Sequence, residues 1–224
     1  MVNPVGDMLP LAIGVMISPL SIVAVISMLL TRRGRGSSLT FLFGWVLGLI
    51  IIGNIVFSIA GMRDYSPGSE PSIAASIIKL LAGVLLLFLA TTMWRISIRG
   101  EQPKLLAQIN AMKTFTPVKA FGLGLLLSAA YPKNLTLTLI AALTIVQAQV
   151  STLLNIEVFV IFIIICSILI IIPVFASFVL GDASLQILNR WKAWNEKHYT
   201  AVMVIILIGL ATMNLGKGLT GLLG

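Results

Sequence analysis

The chain has 224 residues, of which 58% are apolar and only 10% charged, and its mean hydropathy is +1.09. Soluble domains are about a quarter charged, so a soluble globular protein is excluded and an integral membrane protein is expected. A net charge of +8 raises nucleic acid as a partner, but the basic residues cluster in loops between apolar stretches, which argues against it.

Six stretches are long enough to cross a hydrocarbon core about 30 Å thick as helices of about 20 residues. They are roughly 8–30, 38–61, 73–95, 119–149, 155–180 and 199–221. None alternates like a barrel strand. The expected fold is an all-α polytopic membrane protein forming a single membrane domain over 1–224. The first stretch carries Asp7, lacks a basic start and is followed by Arg32 and Arg33. It is therefore read as a span and not as a cleaved signal. In its middle lies Ser18-Pro19-Leu20-Ser21. Proline removes a backbone donor and frees a carbonyl about one turn earlier. In hydrocarbon such groups must be satisfied by protein or by a wet cavity, so a broken helix is expected here.

The second stretch contains Gly44-Trp45-Val46-Leu47-Gly48, a small-residue spacing that brings backbones together. Packing within the chain is the first reading, and a dimer contact the second. Asn54 follows. The link Ser66-Pro67-Gly68-Ser69-Glu70-Pro71 is turn-rich and carries no chemistry. Lys79, near the outer end of the third stretch, is placed to extend its amine toward the headgroups. A connector over about 96–118 follows. Within it, 102–116 sets Leu105, Leu106, Ile109, Met112 and Phe115 near helical spacing, as in a helix lying in the interface.

The fourth stretch holds Gly122, Gly124, Ser128 and a second proline element, Tyr131-Pro132-Lys133-Asn134. The fifth holds the single cysteine, Cys166, and Pro173, where a kink is expected. Residues 184–195 place Leu185, Leu188, Trp191 and Trp194 on one stripe, which reads as a second interfacial helix. The sixth stretch contains Asn214 and Lys217.

The first three stretches echo the last three. Gly14 to Pro19 is similar to Gly124 to Pro132, and Leu89-Ala90-Thr91-Thr92-Met93 to Leu210-Ala211-Thr212-Met213. With three spans in each half, about 8–95 and about 119–221, the halves must insert in opposite senses, as an inverted repeat. The charges demand the same. Arg32, Arg33, Arg35, Arg95, Arg99, Lys104, Lys113, Lys119, Arg190, Lys192 and Lys197 make 11 of the 15 basic residues, and all fall in alternate loops. The positive-inside rule then puts both termini outside the cytoplasm, with the protein in the inner membrane and its basic loops near anionic lipid.

One cysteine forms no disulfide or thiolate cage within the chain. With a single histidine, His198, and no carboxylate in mid-span, no metal and no cofactor are expected. No phosphate loop, HExxH or nucleophile–base pair is present, so no enzyme activity is expected. The sharpest residue is Lys133. A lysine near mid-membrane costs at least about 2.5–3.5 kcal/mol and so faces a cavity or a partner. Being the only deep charge, it favours a substrate with a phosphate, sulfate or carboxylate. The half-helix starting after Pro132 adds a positive dipole end. Ser18, Pro19, Ser21, Ser128, Tyr131, Pro132 and Asn134 complete the candidate binding site, with Lys79, Asn54 and Asn214 as further candidates.

These residues resemble the lysine-exporter superfamily. Pro19 followed by Arg32-Arg33-Gly34-Arg35-Gly36 and then Gly44 and Gly48 is similar to that family's first helix pair, with Ser18-Pro19-Leu20 in place of its PGP element. Lys79-Leu80-Leu81-Ala82-Gly83 resembles its third helix. Pro132-Lys133 matches its Asn-Pro-Lys motif, with Tyr131 replacing the asparagine. Ile17-Ser18-Pro19-Leu20-Ser21-Ile22, Phe43-Gly44-Trp45-Val46-Leu47-Gly48 and Tyr131-Pro132-Lys133-Asn134-Leu135 look closest to the GAP branch, the peptidoglycolipid- or sulfolipid-addressing proteins. The resemblance implies two intertwined three-helix repeats, commonly a homodimer, and export or flipping of an anionic envelope lipid or glycolipid. An amino-acid or small-metabolite exporter, and a membrane scaffold for envelope assembly, are the alternatives.

Overall fold

The computed structural model describes residues 4–31, 34–61, 73–99, 103–111, 114–148 and 150–223. Arg32, Arg33, Arg63, the 66–71 link, Glu101, Met112 and Lys113 lie outside the described residues. Among those described, every regular element is helical: α1 (Pro4–Met16), α2 (Pro19–Leu29), α3 (Gly34–Gly61), α4 (Ile73–Ile98), α5 (Lys104–Ala111), α6 (Pro117–Leu125), α7 (Pro132–Gln147), α8 (Thr152–Val179) and α9 (Ser184–Leu223). A π-helical turn, Leu126–Ala130, extends α6.

The helices α3, α4, α8 and α9 are each long and apolar enough to cross a membrane alone. The pairs α1 with α2 and α6 with α7 reach that length only together, bent by 49° and 59° at their junctions. The chain is thus a multi-pass membrane protein with four spans, or up to six when each bent pair counts as one. The bends fall where proline was expected to break the helix. Pro19 and Pro132 each occupy the first turn of the following helix, where a missing N–H costs nothing and a fixed φ suits the start.

Burial sorts the elements. Every residue of α2 is buried, and so are nine residues of α7. The long helices instead carry wide exposed apolar faces, including Phe43, Ile55 and Ile59 on α3, Leu81 and Phe88 on α4, and Ile164 and Phe175 on α8. Apolar area on that scale needs a lipid or protein covering. The second halves of the bent pairs therefore form the interior, and α3, α4, α8 and α9 form the wall around them. In that wall α4 runs along α9, α3 packs on α6, and α1 packs on α7 and α8.

The close approach of α3 to α6 rests on glycine. Beside Gly124 lie the Phe41 carbonyl and the Trp45 backbone nitrogen, and a Cβ there would come within 2.9 Å of that nitrogen. Gly44 faces the Phe121 backbone in the reciprocal way. The Gly44–Gly48 spacing therefore serves packing within the chain, its first reading.

Two local expectations need correction. Among the described residues of the helix expected over 102–116, Lys104–Ala111 are helical, and Leu106 and Ile109 are 1% exposed. Its apolar stripe is packed against protein, α2 included, where headgroups had been expected. Residues 184–195 do not form a separate interfacial helix. They open α9, which continues for 40 residues without a break, because no proline or glycine interrupts 184–208. Pro173, where a kink was expected, lies inside α8, which continues through it as one helix.

Candidate functional site

Each bend leaves carbonyls at the end of its first half-helix without a helical donor. At the first bend, Ile17 N–H still reaches the Ile13 carbonyl and Ser18 N–H the Met16 carbonyl. The Gly14 and Ile17 carbonyls are taken by Lys133, whose Nζ donates to them at 2.6 and 3.1 Å. At the second bend, Tyr131 N–H bonds the Leu126 carbonyl in π-helical fashion. The Leu127 carbonyl accepts from Asn134 Nδ2 at 2.8 Å. Two consecutive residues in the first turn of α7 thus close both breaks. One acts across the molecule and the other acts within its own span.

The lysine is 1% exposed. No carboxylate pairs with it among the described residues. Its compensation is the carboxyl end of α1, where the helix dipole is negative, together with two charge-assisted hydrogen bonds. The expectation of a cation buried at the meeting of two broken helices therefore holds. Its partner is backbone, since two of its three N–H groups donate to the Gly14 and Ile17 carbonyls.

Around this brace the remaining polar groups are placed as follows. Ser21 Oγ donates to Ser18 Oγ at 3.1 Å, and both are 1% exposed. These hydroxyls pair with each other. Ser128 Oγ donates to the Leu125 carbonyl of its own helix and lies against Gly48. The Tyr131 and Tyr199 hydroxyls lie 3.3 Å apart. Cys166 Sγ reaches the Ala12 carbonyl at 3.7 Å, two residues before Gly14. Asn134 Oδ1 and Thr138 Oγ1 are fully enclosed without a hydrogen-bond partner. Buried oxygens of that kind call for water or ligand, and their i, i+4 spacing puts them on one face of α7.

Three candidates do not join the site. Asn54 is exposed and turns its amide to the Ile50 carbonyl of its own helix, because its position on α3 faces outward. Asn214 is buried but bonds the Leu210 carbonyl of α9, leaving Oδ1 unpartnered. Lys79 donates to Gln147 Oε1 at 3.0 Å. Gln147 lies at the far end of α7, roughly 20 Å from Lys133 at 1.5 Å per residue. Beyond α7, Lys217 pairs with Asp7 at 2.8 Å.

Tyr199 and Cys166 were missed as site residues. Tyr199 stood at the expected start of a span, and only the unbroken run of α9 carries it to Tyr131. Cys166 was weighed for disulfide, metal and redox chemistry alone.

Outside the brace, an apolar groove of about 270 Å³ runs between α1 and α9, lined by Ile13, Gly14, Ile17, Ile206, Gly209 and Met213 among others. Gly14 and Ile17 thus border the groove and also supply the carbonyls that Lys133 holds.

A family model described as Sap, sulfolipid-1-addressing protein, matches residues 8–220. No curated protein and no solved structure matches the chain.

Proposed function

Because the chain belongs to the Sap, sulfolipid-1-addressing protein family, we propose that it exports or flips an anionic cell-envelope lipid or glycolipid, using the two bent helices as its moving site. The observation that carries this reading is the buried ammonium of Lys133 on the Gly14 and Ile17 carbonyls. Half-helices that meet at mid-membrane are where transporters bind their substrates. A sulfate or phosphate arriving there competes with two carbonyls for one cation. Winning that competition releases the end of α1 and changes the angle of the first bend. Ser18 keeps its own hydroxyl proton to give to the headgroup, since its oxygen only accepts from Ser21. The groove beside Gly14 and Ile17 suits an acyl tail, which favours a lipid over an amino acid or other small polar metabolite.

The same reading takes the bent pairs as single spans, six in all, arranged as an inverted repeat within the lysine-exporter superfamily. Its support is the matching roles of α1 with α2 and of α6 with α7, and the reciprocal packing of α3 on α6 and α1 on α8. The alternating basic loops support an inner-membrane location with both termini outside. In this proposal the chain has no enzymatic step.

The test is reconstitution in vesicles that contain a headgroup-labelled anionic lipid or its zwitterionic counterpart. The wild-type protein is expected to equilibrate the anionic lipid across the bilayer. Lys133→Ala protein that still folds is expected to do so at least about tenfold more slowly, as for loss of one charge-assisted contact. Equal rates in the two proteins would overturn the reading.

A further inference from the structure

At the opposite end of α2 from Pro19, a cleft of about 780 Å³ opens where α3, α6 and α9 begin. Thr31, Gly34, Arg35, Pro117, Ser177 and Gly181 are among its lining residues. Arg35 is its cation. The guanidinium carbon lies 5.9 Å from the centroid of the Phe178 ring, a distance at which the aromatic face attracts and orients a cation. Gly181 takes φ +54, and a Cβ there would sit 3.6 Å from Arg35 Nη2. The glycine suits that left-handed backbone and lies at ordinary contact distance from the guanidinium.

Among the described residues no carboxylate pairs with Arg35, and no protein acceptor takes its N–H groups. The wall hydroxyls have spent their protons elsewhere: Ser37 on the Phe115 carbonyl, Ser177 on Val174 and Ser184 on Gly181. Among the described side chains of the cleft, the guanidinium is therefore a free donor. Its planar fork suits two oxygens of one oxyanion. The amino ends of α3, α6 and α9 add positive field of the same sign.

We infer that this cleft is a docking site for the phosphate- or sulfate-bearing headgroup of an anionic lipid, with Arg35 as the residue that grips it. The volume exceeds what a bare oxyanion fills and admits a larger headgroup. Leu29, Leu30 and Leu185 supply an apolar wall that a soluble anion would leave unused. The inference rests on the lipid-transport reading and gives it a first station, since Lys133 is enclosed and a headgroup must engage elsewhere before reaching it.

The test uses the full chain in detergent and native mass spectrometry with phosphatidylglycerol or phosphatidylcholine. Wild-type protein is expected to retain phosphatidylglycerol preferentially. Arg35→Gln is expected to weaken that retention about tenfold, the scale of one charge-assisted fork, with Arg35→Lys between the two. Gly36→Leu gives a second route, because Gly36 lines the cleft and a Cβ there meets nothing within 4 Å, so the substitution is expected to narrow the cleft and weaken retention. Unchanged retention in both Arg35→Gln and Gly36→Leu overturns the site. Displacement of the lipid by millimolar inorganic phosphate overturns the lipid as its ligand. The vesicle assay separates the two readings. If wild-type protein flips lipid while Arg35→Gln retains it normally, the cleft fails and transport stands. If Arg35-dependent retention holds but no lipid moves, transport fails and the cleft stands.

Discussion

Lys133 and Gly14 are 119 positions apart in sequence, and the ammonium of one sits 2.6 Å from the carbonyl oxygen of the other. The contact joins the second bent pair to the first at the point where helical bonding is lost. It makes the most polar residue of the interior a structural member as well as the candidate ligand-binding group, and the two roles separate experimentally.

Replacing Lys133 by Met keeps the length of the side chain and removes the charge. Two charge-assisted hydrogen bonds of about 1.5–3 kcal/mol each are lost. Relief from holding an unpaired buried cation offsets part of that loss. A lower thermal midpoint with unchanged helical circular dichroism is expected, together with loss of lipid movement. An unchanged midpoint would show that the brace contributes no stability.

Asn134→Leu leaves the Leu127 carbonyl buried and unpaired, at a cost of about 1–3 kcal/mol. Asn54→Leu removes an exposed bond to its own helix and is expected to stay within about 0.5 kcal/mol of wild type. Thermal melts of the two proteins in the same detergent check the contrast. Equal shifts would contradict the positions given to these amides.

Gly124→Val drives a branched side chain into the Phe41 carbonyl and the Trp45 backbone. Backbone yields poorly, so a loss of about 1–3 kcal/mol is expected from overpacking. Gly122→Ala meets nothing within 4 Å and should match wild type. Size-exclusion profiles and melts report both.

Asp7→Asn breaks the ion pair with Lys217, whose partners are 42% and 38% exposed. Exposed pairs contribute about 0–1 kcal/mol and are screened by salt. Stability should fall slightly at low salt, the difference should vanish at high salt, and lipid movement should be unaffected. A large loss of transport would tie this end of the molecule to the mechanism.

Much of this arrangement was legible in the residues. Pro19 and Pro132 marked both bends because a missing N–H in an apolar run has few outcomes. The depth of Lys133 foretold its burial because an isolated charge cannot face lipid. The partner of Lys133 was not legible, since a backbone carbonyl leaves no signature in the side chains. The outward turn of Asn54 was hidden for another reason: α3 is apolar on every side, so no stripe reveals which face meets protein. The unbroken α9 was missed because Trp191, Trp194 and the basic residues beside them are equally at home at a membrane surface and along a continuing helix.

The length of α9 has a mechanical consequence. Forty residues at 1.5 Å each span about 60 Å, about twice a hydrocarbon core of about 30 Å. With no joint between Trp194 and Asn214, a push or twist on the ring pair of Trp194 and His198, stacked 4.8 Å apart, travels down the rod like torque along a driveshaft. Motion at the Trp194 end and motion beside the apolar groove are then a single movement.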